Sequence, residues 1–314
     1  MHLKPDVSIT TVQTVLQQHW GRPAEELSAV AENGNFSTVY YFSMEGTQYV
    51  ILFNQADQGE DGYLREQYIA DLLSSQGVRY PKMLGKGITG SYRYCISERI
   101  QGNVLADCQP LQKVDLLDDL VQSITAMNQV RLSETTTGFG PVREDGNGQF
   151  PSWLDFIQTF YAEDQTGTFW ENWHDLFHTT CLERDVFDEC FGRLLTFNQY
   201  NAPYRHFVHN NCHAWNILSD GKRITGIIDS NALYGDFLID IATIEDAVPG
   251  RDVAEAFRIY AEQTGRPIHN FDARLTGARY FKGLDGMRFY AKMGYTDAYA
   301  ELRDSLLALP TVFR

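Results

Sequence analysis

The stretch that decides the fold is His206-Phe-Val-His-Asn-Asn-Cys-His-Ala-Trp-Asn-Ile-Leu-Ser-Asp220, with Gly226-Ile-Ile-Asp-Ser230 and Tyr234-Gly-Asp-Phe-Leu-Ile-Asp240 close behind. Phe207 and Val208 run into a polar loop at 209–216. Two short strands, expected at 216–219 and 223–228, are joined by Asp220-Gly221, a pair that suits a tight turn. Asp229 then falls just past the second strand, where a side chain projects from the sheet end into a cleft. Phosphoryl transfer needs a loop carboxylate for the acceptor hydroxyl, an Asn further along the loop, and a second Asp to hold Mg²⁺. Asn216 and Asp229 fill the last two places, and Asn211 stands in the first. A carboxamide accepts a hydrogen bond but takes no proton near neutrality.

The same spacing follows the kinase pattern H-x-D-x-x-x-x-N and a later metal-binding Asp. With Gly235-Asp236 and Asp240-Ile-Ala it resembles the aminoglycoside phosphotransferases, and among them the hygromycin B phosphotransferases. Most of the chain shares in the likeness. Asn33-Gly-Asn-Phe-Ser-Thr-Val-Tyr40 resembles the nucleotide loop of that family, and Tyr94-Cys-Ile-Ser-Glu-Arg-Ile-Gln-Gly102 its interlobe hinge. Thr137-Gly-Phe-Gly-Pro141 recurs in the hygromycin branch. The resemblance implies an α+β, bilobal protein-kinase-like fold. Residues 1–100 would form a small β-rich N-lobe, and 101–314 a larger, mainly helical C-lobe carrying the loops at 206–240.

Periodicity along the chain suits that division. A helix is expected at 7–20, strands at 27–32, 37–44 and 47–54, a helix at 63–76, and strands at 82–86 and 92–98. Beyond the hinge, one long helix is expected at 111–130, a Gly-rich loop at 138–149, and helical segments at 152–180 and 182–199. Further helices follow near 237–248, 253–264, 273–290 and 296–307.

Composition narrows the class. The net charge of −15 argues against nucleic-acid or anionic-membrane partners and favours cationic ones. No apolar run is long enough to span a membrane, and the start shows no secretory pattern, so a cytoplasmic protein is expected. The five cysteines are scattered without C-x-x-C, as reduced thiols would be.

The phosphate-binding parts are eroded. Kinases carry a Lys on the third strand, paired with a Glu on the next helix. In Gln48-Tyr-Val-Ile-Leu-Phe-Asn54 the position of the family's basic residue falls on Leu52, which leaves Glu66 without an obvious partner. Between Pro23 and Leu64 there is no Lys, Arg or His. Ser37, Glu66, Glu98 and Ile100 are what the resemblance offers on the nucleotide side. His209, Asn211, His213 and Asp229 are the candidate catalytic residues. Asn216 and Asp229 form a weak candidate metal pair, with a structural role for Asp229 equally open. Asp236 and Asp240 are assigned structural jobs. On the substrate side, 151–192 is rich in acids, with Arg184 its one fixed positive charge. Asp155, Trp153, Tyr161 and Trp173 are the candidates to attract and stack on a cationic ligand.

Three functions follow. The eroded motifs point to a chain that has lost ATP-dependent transfer. It would bind a small organic molecule in the interlobe or C-lobe cleft and transform it without ATP or another cofactor, by cyclisation, isomerisation or elimination. The resemblance itself implies an ATP- and Mg²⁺-dependent O-phosphotransferase acting on an aminoglycoside. A third reading is a non-catalytic pseudokinase that holds a cationic ligand or a protein partner.

Overall fold

The computed structural model describes residues 4–30, 37–55 and 62–312, and residues 33–36 of the nucleotide loop expected at 33–40 lie outside them. The chain divides into two compact units, one of Met1–Gly102 with Thr225–Ile228 and one of Asn103–Ile224 with Asp229–Arg314.

The first unit contains α1 (Ile9–Trp20), β1 (Glu25–Ala29), β2 (Thr38–Met44), β3 (Thr47–Gln55), α2 (Gly62–Ser74), β4 (Met83–Thr89) and β5 (Tyr92–Glu98). Its five strands form one sheet in the order β1-β2-β3-β5-β4. Ser8 caps α1 by accepting from the Thr11 N–H, and Gly21 ends the helix in a left-handed conformation. Glu45 and Gly46 both take positive φ, 52° and 77°, so β2 and β3 meet in the two-residue turn that matches strand twist. Val12, Val15 and Leu16 of α1 pack on Tyr40, Phe42, Ile51, Phe53 and Ile96. Since strand side chains alternate, the other face of the sheet carries Val39, Leu52, Asn54, Arg93 and Cys95.

The second unit runs β6 (Asn103–Val104), α3 (Pro110–Asp115), α4 (Leu117–Asn128), β7 (Phe139–Val142), β8 (Gly148–Phe150), α5 (Trp153–Phe160), α6 (Leu176–Thr179) and α7 (Arg184–Asn201). It continues with β9 (His206–Val208), β10 (Ile217–Ser219), β11 (Ile224–Ile227, of which 225–227 belong to the first unit), β12 (Leu233–Gly235), α8 (Leu238–Ile244), α9 (Val253–Gln263), α10 (Phe271–Met293) and α11 (Thr296–Leu307). α10 is the central post and packs against α7, α8 and α11. Gly277 brings α10 close to α7, because a Cβ there would lie 2.0 Å from Asn201 Oδ1. No helix among the described residues is long and apolar enough to cross a membrane.

The mixed fold, an antiparallel N-terminal sheet followed by a larger helical part, is the one expected. Several local expectations change. The helix expected at 111–130 breaks at buried Leu116 into α3 and α4. The Gly-rich stretch at 138–149 is a strand pair, β7 and β8, with Gly138 and Gly140 at positive φ supplying its kinks. The helical segment expected at 152–180 is divided into α5, a short 3-10 helix at Trp173–Asp175 and the short α6, with a turn through Gly167 (φ 76°) after α5. The two- and three-residue strands β6 and β12 went unforeseen, since so short a run has no readable period. They matter nonetheless: β6 pairs with β10, and β12 lies between β7 and β9, which fixes both ends of the loop at 209–216.

Candidate active site

The loop after β9 is held from beneath. Asp240, fully buried on α8, accepts the backbone N–H groups of His209 and Asn210, each at 2.8 Å, and the Asn128 side-chain amide at 2.7 Å. Burial pushes its pKa up to about 6, against the lowering effect of those three donors. Lys282 of α10 donates to the Asn210 carbonyl at 2.9 Å and to its Oδ1 at 3.3 Å. Asn210 takes a left-handed φ of 59°, a conformation tolerated by Asn and anchored here by three bonds. Asp236 forms the companion anchor. It receives Arg274 at 2.7 and 2.8 Å and Asn201 at 2.8 Å, and its Oδ1 accepts the Leu238 N–H at the start of α8. The structural roles expected for Asp236 and Asp240 are thus the ones their contacts describe.

Above these anchors the structure brings four of the candidates together. The Asn211 amide donates to the Asp229 carbonyl at 2.9 Å and to its carboxylate at 3.3 Å. The Asn216 amide donates to the Asn211 carbonyl at 2.9 Å. His213 bridges them, donating its N–H to the Asn211 carbonyl and accepting the Asn216 N–H at its own. Its Nε2 lies 3.4 Å from the Asn216 amide. Asp229 adopts φ 58° and is exposed, yet desolvation by the protein around it raises its pKa, with no basic side chain acting against that rise. Burial, then the Lys282 charge, lowers the His213 pKa, so the ring is neutral at pH 7.

His209 is not with this group. It is fully buried beneath the loop and contributes its backbone to the Asp240 anchor, so its imidazole has no access to a reactant.

Two oxygens remain for a cation. The Asn216 nitrogen is committed to a carbonyl, which leaves its Oδ1, and the Asp229 carboxylate, touched by the Asn211 amide at one oxygen, has no basic neighbour among the described residues. Two such donors suit magnesium, which takes the rest of its ligands from phosphate and water. No cluster of three or more His, Cys, Asp or Glu that could hold a metal occurs among the described residues.

The first unit carries the candidates of the nucleotide side. Ser37 donates to Asn54 Oδ1 at 2.7 Å. Glu66, expected to lack a partner, is bonded by Arg65 of the same helix at 3.0 Å. Glu98 is exposed at the end of β5, paired with Tyr49 of β3. Ile100 packs on Gly226, where a Cβ would meet it at 2.5 Å.

The substrate-side aromatics are a correction. Trp153, Tyr161 and Trp173 are only 2%, 6% and 1% exposed. The guanidinium of Arg288 from α10 already occupies the aromatic box, 4.6 Å from the Tyr161 ring and 4.9 Å from Trp173, with Phe160 and Trp170 completing it. Trp153 packs on Phe156 and Phe281. These rings therefore enclose an internal cation and the core. Sequence periodicity could not supply the buried arginine, which lies far downstream. Asp155 is exposed and accepts the Ser152 hydroxyl at the start of α5. Among the acids, Glu183 and Glu189 are bonded by Arg303 and Arg193. Glu163, Asp164 and Asp175 instead line an open cavity of about 320 Å³.

Sequence reasoning missed Lys282 and Asn128, which hold the loop, because neither belongs to a local motif. It also assigned no role to Trp215, whose indole is 56% exposed within the loop.

The chain is 29% identical over 243 residues to the hygromycin-B 4-O-kinase of Escherichia coli, covering 77% of this chain and 67% of that one. The crystal structure of aminoglycoside phosphotransferase APH(4)-Ia superposes with a TM-score of 0.78 at 25% identity, over 96% of this chain and 98% of that one. A thermostable mutant of APH(4)-Ia, in ternary complex with AMP-PNP and hygromycin B, gives a TM-score of 0.77 at 26% identity over 95% and 97% of the two chains. Residues 28–290 match the model of the phosphotransferase enzyme family, and the chain belongs to that family.

Proposed function

We propose that the protein transfers a phosphoryl group from a magnesium-bound nucleoside triphosphate to a hydroxyl of a small cationic molecule of the aminoglycoside class. The observation that carries this reading is the Asn216 amide bonded to the Asn211 carbonyl beside Asp229, since it keeps two oxygen donors free for a metal. Magnesium, when bound, neutralises and aligns the terminal phosphates. Asn211 orients the acceptor hydroxyl through its carboxamide oxygen, its nitrogen being tied to Asp229. It removes no proton. The bond from the γ-phosphorus to the bridging oxygen breaks to release the nucleoside diphosphate. A loose transition state asks little of a base, so the hydroxyl proton passes late to a phosphoryl oxygen and then to water, and turnover is slow. The acidic cavity at Glu163, Asp164 and Asp175 supports a cationic acceptor.

A second reading, favoured by the missing base, is ATP-independent transformation of a bound organic molecule, or binding without catalysis. One experiment separates the two. The protein is titrated calorimetrically with Mg²⁺ and AMP-PNP, then incubated with Mg²⁺-ATP and hygromycin B while products are followed by ³¹P NMR. Saturable nucleotide binding with slow appearance of a phosphomonoester is expected. Absence of nucleotide binding would sink the phosphotransferase reading and leave the second.

A further inference from the structure

On β3 the place of the family's basic residue is held by Leu52, and no basic residue occurs between Pro23 and Leu64. The sheet offers charge from elsewhere. Leu52 pairs with Cys95 of β5, and Cys95 pairs with Lys86 of β4, so Leu52, Cys95 and Lys86 form one row across three strands. Asn54 pairs with Arg93 of β5 in the next row on the same face. Phe53, Tyr94 and Ile96, the alternate residues, belong to the core against α1, which sends these two rows to the opposite side.

Contacts on that side agree. The Arg93 guanidinium lies 5.7 Å from the ring centroid of Tyr63 on α2, and Tyr63 bonds the Asn54 side chain that also receives Ser37. Desolvation pushes the Cys95 thiol up to about 12, the Glu66 charge adds to that rise and the Lys86 charge opposes it. Both charged groups therefore lie within electrostatic reach of one thiol. The face holds a carboxylate on α2 and two cations, Arg93 on β5 beside β3 and Lys86 on β4 one strand further out, charges of the sign that binds a polyphosphate.

We propose that Arg93 of β5 and Lys86 of β4 supply the phosphate-binding charge that β3 lacks at Leu52, and hold the phosphates of a nucleotide on this face. The guanidinium offers a planar fork to two phosphate oxygens. Lys86 brings a point charge on a flexible stem. This rests on the nucleotide-dependent reading above.

The test uses the full chain and two ligands, Mg²⁺-ATP and adenosine, titrated calorimetrically against the parent, Arg93→Gln, Lys86→Gln and the double variant. The parent should bind ATP at least tenfold more tightly than adenosine. Each single variant should lose about tenfold in ATP affinity, the double variant more, and adenosine affinity should not move. Adding Leu52→Lys to the double variant should restore ATP binding, because its row is shared with Lys86. ATP affinity unchanged in the double variant would overturn the inference while leaving nucleotide binding intact. Equal losses for ATP and adenosine would assign the two residues a structural role and overturn it as well. A parent that binds neither ligand would remove both this inference and the reading beneath it.

Discussion

Asn211 differs from aspartate only in replacing one carboxylate oxygen by an amide nitrogen, and that nitrogen donates to Asp229. An aspartate there would set two carboxylates side by side and make the pair a stronger magnesium site. Asn211→Asp is expected to speed phosphoryl transfer by about 10²-fold, the lower end of general-base effects, because a loose transition state needs little base. Initial rates of ADP release with hygromycin B measure it, and an unchanged rate would show that position 211 limits nothing. His213 makes a pH statement. Its folded pKa is depressed below the ordinary 6.5, so the unfolded chain binds the proton first as pH falls. Stability is unaffected above that value and declines as pH drops through it. Urea unfolding at pH 7.5 and 5.5 should show a loss in the parent that is smaller in His213→Gln. Equal losses would contradict the depressed value.

The helices behind the loop determine whether its geometry survives. Asp236 and Arg274 are 0% and 2% exposed and share Asn201, so removal of one partner leaves a buried charge. Arg274→Met should cost about 3–5 kcal/mol in urea unfolding. The double variant with Asp236→Leu should cost less than the sum of the singles, since it strands no charge. Gly277→Ala should destabilise by about 1–3 kcal/mol, because its Cβ would press on Asn201 Oδ1 while the Asn201 amide is bound to Asp236 and to the Arg274 carbonyl. A neutral result would mean that α7 and α10 separate more readily than their packing implies. At this scale sequence reading did well for long amphipathic elements such as α1, α9 and α11. It did poorly where turns or strands of two or three residues interrupt the pattern, as at Leu116 and in β6 and β12.

Across the whole molecule the net charge is −15, and Glu163, Asp164 and Asp175 line one cavity, where His174 lies 3.5 Å from Glu163. Affinity for a polycationic acceptor should fall about tenfold or more when ionic strength rises from about 0.05 M to about 0.5 M, since the Debye length shrinks severalfold. A neutral sugar should be insensitive, and calorimetry on both ligands checks the contrast. The mixed fold class, the long amphipathic helices, the loop with Asn211, Asn216 and Asp229, and the family were determined by the sequence alone. They are written in local periodicity, turn residues and short spacings, which need no knowledge of distant contacts. What the tertiary structure alone decided lies between residues far apart in the chain. Cross-strand register put Arg93 and Lys86 on the face of Leu52, and α10 drove Arg288 into the aromatic box that a ligand was expected to fill. Neither pairing leaves a trace in local sequence, because strand register and helix packing are set by where side chains can be buried together.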